Sequence, residues 1–147
     1  MTPELARALA ALPHSPEFRF LDRLVELEPG RRGVAEYTLR GDAPFLRGHF
    51  PGEPLMPGVL LLEAAAQLAG VVAQSDPAHA PLPGLKLTAV RQAKITGTVR
   101  PGETLTVRAE VVGRLGHLVQ ARASVRAGGA EILVGELTLS GAAGDSD

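Results

Sequence analysis

Apolar and polar residues alternate at every second position through much of the second half of the chain. Leu105, Val107, Ala109 and Val111 alternate with Thr104, Thr106, Arg108 and Glu110. Val119, Ala121, Ala123 and Val125 alternate with Gln120, Arg122, Ser124 and Arg126. Leu85, Leu87, Ala89, Ala93 and Ile95 do the same against Lys86, Thr88, Gln92 and Lys94. A period of two marks strands with one buried face and one wetter face. Pro101-Gly102, Leu115-Gly116 and Gly128-Gly129 mark the turns. A last strand is expected from about Ala130 to Ser140.

The first half reads differently. Pro3 to Leu12 predicts a short helix, with Thr2 as N-cap, Pro3 at the first helical position and Leu5, Leu9 and Leu12 as its apolar stripe. Pro13 and Pro16 end it. Phe18 to Glu28 and Val34 to Arg40 predict two strands around a Pro29-Gly30 turn, with Ala35, Tyr37 and Leu39 on one face. Gly41 to Pro57 is a loop by composition, rich in Pro and Gly. Gly58 to about Gln74 is the one long helix, apolar on every side and so expected to be buried. Six strands and one buried helix imply an α+β fold, an antiparallel sheet wrapped around that helix.

The 147 residues hold one domain rather than two. It is expected to span 1–147, with 1–14 as an N-terminal helix and linker. The small, acidic end beyond Ser140, residues 142–147 above all, is expected to lack fixed structure. Fifteen basic residues face sixteen acidic ones, for a formal charge of −1, so no global basic field exists to hold nucleic acid. Tryptophan is absent, and one Tyr and four Phe offer no base-stacking surface. Without cysteine there is no thiolate nucleophile, thiolate zinc site or disulfide. The most apolar run, Gly58 to Ala73, is shorter than the roughly 20 residues a membrane helix needs, and it carries Glu63 and Gln67. The N-terminus does not read as a signal peptide. The expectation is a cytoplasmic protein with no membrane or nucleic-acid partner. His14, His79 and His117 fall in predicted loops or strand ends and read as ordinary surface groups. No spacing among the histidines resembles a metal site, and no metal or cofactor is expected.

Chemistry concentrates in one stretch. Glu63 and Gln67 are the only polar residues between Gly58 and Ala73 of the long helix. A carboxylate in a buried helix is costly unless paired or protonated, and desolvation should raise its pKa toward neutrality, as a general acid or base requires. Gln67 lies at i+4, within reach to hold its rotamer. The helix alone leaves open a Glu satisfied by Gln67 with no chemistry. The preceding loop, RGHFPGEPLMPG, presents His49 between Gly48 and Phe50, and His is the usual proton carrier near neutral pH. Pro57-Gly58 opens the helix, whose first N–H groups lack intrahelical partners and suit a developing oxyanion. Together these groups point to proton removal next to a carbonyl and proton delivery to a leaving hydroxyl.

The stretch GHFPGEPLMPGVLLLEAAAQLAG closely resembles the active-site segment of the FabZ-type 3-hydroxyacyl-[acyl-carrier-protein] dehydratases of fatty acid synthesis. The shared features are the GHFPG loop at Gly48 to Gly52, Pro57 to Val59, Glu63-Ala64 and Ala66-Gln67. Weaker resemblance runs from about Phe20 to Leu139 and includes Asp22-Arg23, Ala93-Lys94 and Val99 to Glu103. The resemblance implies a hotdog fold with His49 and Glu63 as the catalytic pair and Gln67 in support. It implies that the Gly58 N–H polarises the thioester carbonyl. It also implies a homodimer in which His and Glu meet across the interface, often assembled as a trimer of dimers. An acyl tunnel would run along that interface past Phe50, Met56, Pro57, Val59 and Ile95, and acyl carrier protein would deliver the substrate.

The related dehydratase-isomerase branch carries Asp where Glu63 stands, which argues for dehydration alone. Ile95 to Thr98 depart from the aromatic and basic residues usual after Ala-Lys, with consequences for chain length and carrier docking. Between Gly84 and Arg126 eight basic residues stand against Glu103 and Glu110. This is either a face for an acidic carrier or the solvated side of a sheet. The rival functions are a hotdog acyl thioesterase and a catalytically silent acyl-binding subunit.

Overall fold

The computed structural model describes residues 1–142. Six strands form one antiparallel sheet: β1 (Arg23–Glu28), β2 (Arg32–Thr38), β3 (Lys86–Ile95), β4 (Thr104–Leu115), β5 (Leu118–Ala127) and β6 (Ala130–Ser140). Their order is β1-β2-β4-β5-β6-β3. Helix α1 (Pro3–Ala10) precedes them, and helix α2 (Gly58–Gln74) lies between β2 and β3. The period-two residues of β4 and β5 are buried as their spacing demands: Leu105, Val107, Ala109, Val119, Ala121, Ala123 and Val125 all line the core. Ala64, Ala65, Leu68, Ala69 and Val72 of α2 meet them with almost no exposed surface. Alanines at these points let the helix axis come close to the sheet.

The expected helix and turn signals appear, with shifted ends. The Thr2 side chain accepts a bond from the Leu5 N–H at 3.2 Å, the N-cap role assigned to it. The strand expected from Phe18 begins only at Arg23. Pro16–Phe18 is a 3-10 turn, and the Phe18 C=O and Phe20 N–H bond to the side chain of Gln67 instead of a neighbouring strand. The Gly41 to Pro57 loop contains a 3-10 turn at Pro44–Arg47 that buries Leu46. The last described residues, Gly141 and Ala142, are bonded to the rest of the chain. The Gly141 N–H bonds the His117 C=O and the Ala142 N–H bonds the Pro83 C=O, so both residues are tied down. Residues 143–147 of the expected tail lie outside the described residues.

β3 departs furthest from its pattern. It is an edge strand paired only with β6, and nearly all of it is exposed on both faces within one chain. Register shifts occur between Leu87 and Ala89 and between Arg91 and Lys94, with Gln92 at φ 52°. The first shift puts Val90, not Ala89, opposite the buried Leu137. A bulge reverses the phase of side-chain alternation, which is why the simple reading of this strand fails.

The β1–β2 turn anchors the end of α2. The Gly30 N–H bonds the Val72 C=O at 3.0 Å, satisfying a carbonyl of the last helical turns. Gly30 has φ 77°, and a Cβ there would stand 2.6 Å from the Asp76 carboxyl carbon. Gly30→Ala therefore meets both left-handed strain and a clash. A loss of about 1–3 kcal/mol in unfolding free energy is expected, measured by urea denaturation. An unchanged midpoint would contradict this account of the turn.

Candidate active site

α2 places Glu63 and Gln67 one turn apart on the same face. Gln67 is the one buried polar residue among the described residues, at 2% exposure. Its Oε1 accepts the Phe20 N–H at 2.9 Å. That bond fixes which end of the amide is oxygen. Nε2 then donates both its hydrogens, to the Phe18 C=O at 2.8 Å and to Glu63 Oε2 at 3.0 Å. The side chain thus stitches the irregular Phe18–Phe20 backbone to the helix and aligns the carboxylate.

Glu63 is less buried than the apolar helix suggested. Its side chain is 24% exposed in the single chain. The first turns of α2 are only partly covered: Val59 is 69% exposed and Leu60 and Leu62 are half-buried, while Leu61 is buried. Glu63 opens into an apolar groove of about 750 Å³ bounded by α1, the last turns of α2 and the Leu82–Leu87 segment.

His49 lies elsewhere in the chain, and it does not line that groove. Its loop is closed by a reciprocal pair of backbone bonds between Phe50 and Glu53, with a cis peptide between His49 and Phe50. The His49 C=O accepts the Leu55 N–H at 2.8 Å. Nδ1 lies 2.9 Å from the Leu55 C=O, and the ring stacks on Phe50 with centroids 4.0 Å apart. A carbonyl can only accept, so the neutral ring carries its proton on Nδ1. Nε2 is left with a free lone pair, the form a general base requires.

The other expected site residues scatter around these two. Gly58 starts α2 behind Pro57, and its N–H precedes the first intrahelical bond. A Cβ on Gly58 would meet Ile95 Cδ1 at 3.0 Å, so Ile95 and the helix start are neighbours. Phe50 and Ile95 are exposed, Pro57 is half-buried, and Met56 is buried in the core. No group of three or more metal-ligating side chains occurs among the described residues.

One residue was misread. His14 is a half-buried group at the site and not an ordinary loop histidine: its Nε2 stands 3.3 Å from Glu63 Oε2. The contact joins segments far apart in sequence and only forms when α1 and α2 share a groove. Spacing along the chain carries no trace of it. His79, by contrast, sits at the surface beside Asp76, 2.9 Å from its carboxylate.

The chain matches the family described as FabA-like domain over residues 12–136. It is 45% identical over 103 residues to a 3-hydroxyacyl-[acyl-carrier-protein] dehydratase FabZ of Chloroflexus aggregans, covering 70% of this chain and 71% of that protein. It is 34% identical over 145 residues to the FabZ of Myxococcus xanthus, covering 98% and 95%. Among solved structures it superposes on a chain of the dehydratase heterocomplex ApeI:P of Xenorhabdus doucetiae with a TM-score of 0.78 at 17% identity, over 97% and 93% of the two chains. Zebra fish thioesterase superfamily member 2 matches with a TM-score of 0.68 at 16% identity over 92% of both chains. These two likenesses establish the hotdog fold.

Gln67→Met keeps the volume and removes every bond of the amide. It strands the Phe20 N–H in a buried setting, and a loss of about 1–3 kcal/mol in stability is expected by chemical denaturation. Wild-type stability in this variant would mean that the amide does not hold the Phe18–Phe20 segment.

Proposed function

The chain belongs to the FabA-like family and to its FabZ-type 3-hydroxyacyl-[acyl-carrier-protein] dehydratases, and on that premise we propose how it removes water from a (3R)-hydroxyacyl thioester to give the trans-2-enoyl thioester. The observation that carries the assignment of roles is the His49 Nδ1 contact with the Leu55 C=O, which leaves Nε2 as the base. His49 Nε2 takes the proton α to the thioester carbonyl. The released electron pair moves toward the carbonyl oxygen, where the Gly58 N–H at the positive end of α2 stabilises the charge. The C–O bond at the β-carbon then breaks, and the hydroxyl leaves as water with a proton from Glu63. Gln67 already donates to Oε2, so Glu63 presents the acidic proton on Oε1.

In this reading the base and the acid come from two copies of the chain. Three features support a homodimer. β3 is an unprotected edge strand, a surface that native proteins ordinarily cover. Val90 and Ile95 on β3, Val59 at the start of α2 and Phe50 in the His49 loop expose apolar surface. Glu63 opens into a groove that the His49 of its own chain does not line. The partner's His49 loop would enter that groove and complete the desolvation of Glu63. A trimer of dimers is the larger assembly. The substrate is carried by acyl carrier protein, a partner for which Lys86, Arg91 and Lys94 on exposed β3 offer basic side chains. The acyl tunnel passes Phe50, Pro57, Val59 and Ile95, with Met56 behind them. No helix among the described residues is long and apolar enough to cross a membrane, and we place the reaction in the cytoplasm.

His49→Ala and Glu63→Gln are each expected to lose about 10²- to 10⁴-fold in rate, the range for a general acid or base. The check is ultraviolet absorbance of the enoyl thioester formed from a hydroxyacyl carrier substrate. Near wild-type turnover in either folded variant would refute the roles. Release of free thiol without enoyl product would indicate a thioesterase instead.

A further inference from the structure

We infer that His14 is a positioning residue for Glu63: with Gln67 it directs a donor at Oε2 and so favours the exchangeable proton on Oε1. The inference rests on the dehydratase reading above and adds to it a group outside the pair of His49 and Glu63.

The argument begins with the His14 ring. Nε2 faces Glu63 Oε2 at 3.3 Å, while Nδ1 is buried with no hydrogen-bond partner. If the proton sat on Nδ1, or if both nitrogens carried protons, a donor would be buried with nothing to accept it, which is rare and costly. The neutral ring with its proton on Nε2 buries only a lone pair and points a donor at the carboxylate. His14 therefore holds the opposite tautomer to His49, which has its proton on Nδ1.

The ring is held in place from several sides. Arg19 donates from Nε to the His14 C=O at 2.8 Å and from a terminal nitrogen to the Leu12 C=O at 2.9 Å. Phe18 stacks on the imidazole at 6.1 Å and 16°. Phe18 and Phe20 are themselves bonded to Gln67 through the backbone. His14 and Gln67 thus reach the same carboxylate oxygen from one connected framework. Of the groove's other lining residues only Lys86 is charged. One bonded donor and a second donor aimed at Oε2 disfavour a proton there, so the acid protonates and delivers through Oε1. At 3.3 Å the His14–Glu63 contact is within ion-pair distance and is not an aligned hydrogen bond in the single chain, and catalytic hydrogen bonds are often long or poorly aligned until substrate binds.

The test compares the full-length chain with His14→Phe and His14→Gln. Phe keeps a ring against Phe18 and loses the donor, whereas Gln keeps a neutral donor near the same place. His14→Phe is expected to lower kcat about 10- to 100-fold, the loss for one hydrogen bond to a charged group, with KM changed less than about threefold. His14→Gln is expected to stay within about threefold of wild type in kcat. Independently of activity, nitrogen NMR of the wild-type chain should show His14 with its proton on Nε2, protected from exchange and deprotected in Glu63→Ala. Wild-type kcat in His14→Phe, a defect in His14→Gln as large as in His14→Phe, or a proton on Nδ1 would each overturn the inference. If His14→Phe does not fold, His14→Gln and the wild-type spectrum still decide it. An inactive wild-type chain whose His14 shows the Nε2 proton would instead fault the dehydratase reading and leave the contact standing.

Discussion

The amide of Gln67 is the constraint on which the site depends. It is a polar group in the most apolar element of the chain, and every hydrogen-bonding atom of it is used. Two of its bonds replace strand pairing for Phe18 and Phe20, and the third orients Glu63. A buried amide left partly unpaired costs more than its bonds contribute, so the arrangement holds only when all three partners are present. The folding of the N-terminal segment and the aim of the carboxylate are therefore one event. The same segment carries His14 to the carboxylate oxygen that Gln67 bonds.

Strands β4, β5 and β6, their turns, the β1–β2 hairpin and the long helix were legible from alternation and turn residues, because a sheet with one buried face writes a period of two into the sequence. Three features were not. The Phe18–Leu21 stretch looked like a strand because it is rich in apolar residues, of which Phe20 and Leu21 are buried, but the Phe18 C=O and Phe20 N–H are satisfied by a side chain far along the sequence. The β3 bulges shift the phase of alternation, and neither bulge has a glycine or proline to announce it. The half-exposed start of α2 looked buried because apolar residues on every side of a helix indicate burial without saying in which molecule. Within the site, Glu63, Gln67, His49 and Gly58 stood out from residue type and setting. His14 did not, since a histidine between two prolines looks like any loop histidine until the groove forms.

Several features are exposed in the single chain: nearly all of β3, Val59 at the start of α2, and the groove into which Glu63 opens. A monomer would leave this surface wet and would keep the base and the acid apart. A second copy related by a two-fold axis would cover the edge strand and exclude water from Glu63. It would also bring a free imidazole lone pair to the far side of the substrate. On the proposed reading, the catalytic unit contains two chains.

The most direct measurement of that requirement is complementation between two inactive variants. Purified His49→Ala and Glu63→Gln chains are mixed, exchanged under mild denaturant and assayed for enoyl thioester formation. If each site takes its His from one chain and its Glu from the other, half of the dimers are mixed and each has one intact site, so activity returns to about a quarter of wild type. If mixed dimers form and activity stays at the level of the separate variants, the two groups act within one chain and the account is wrong.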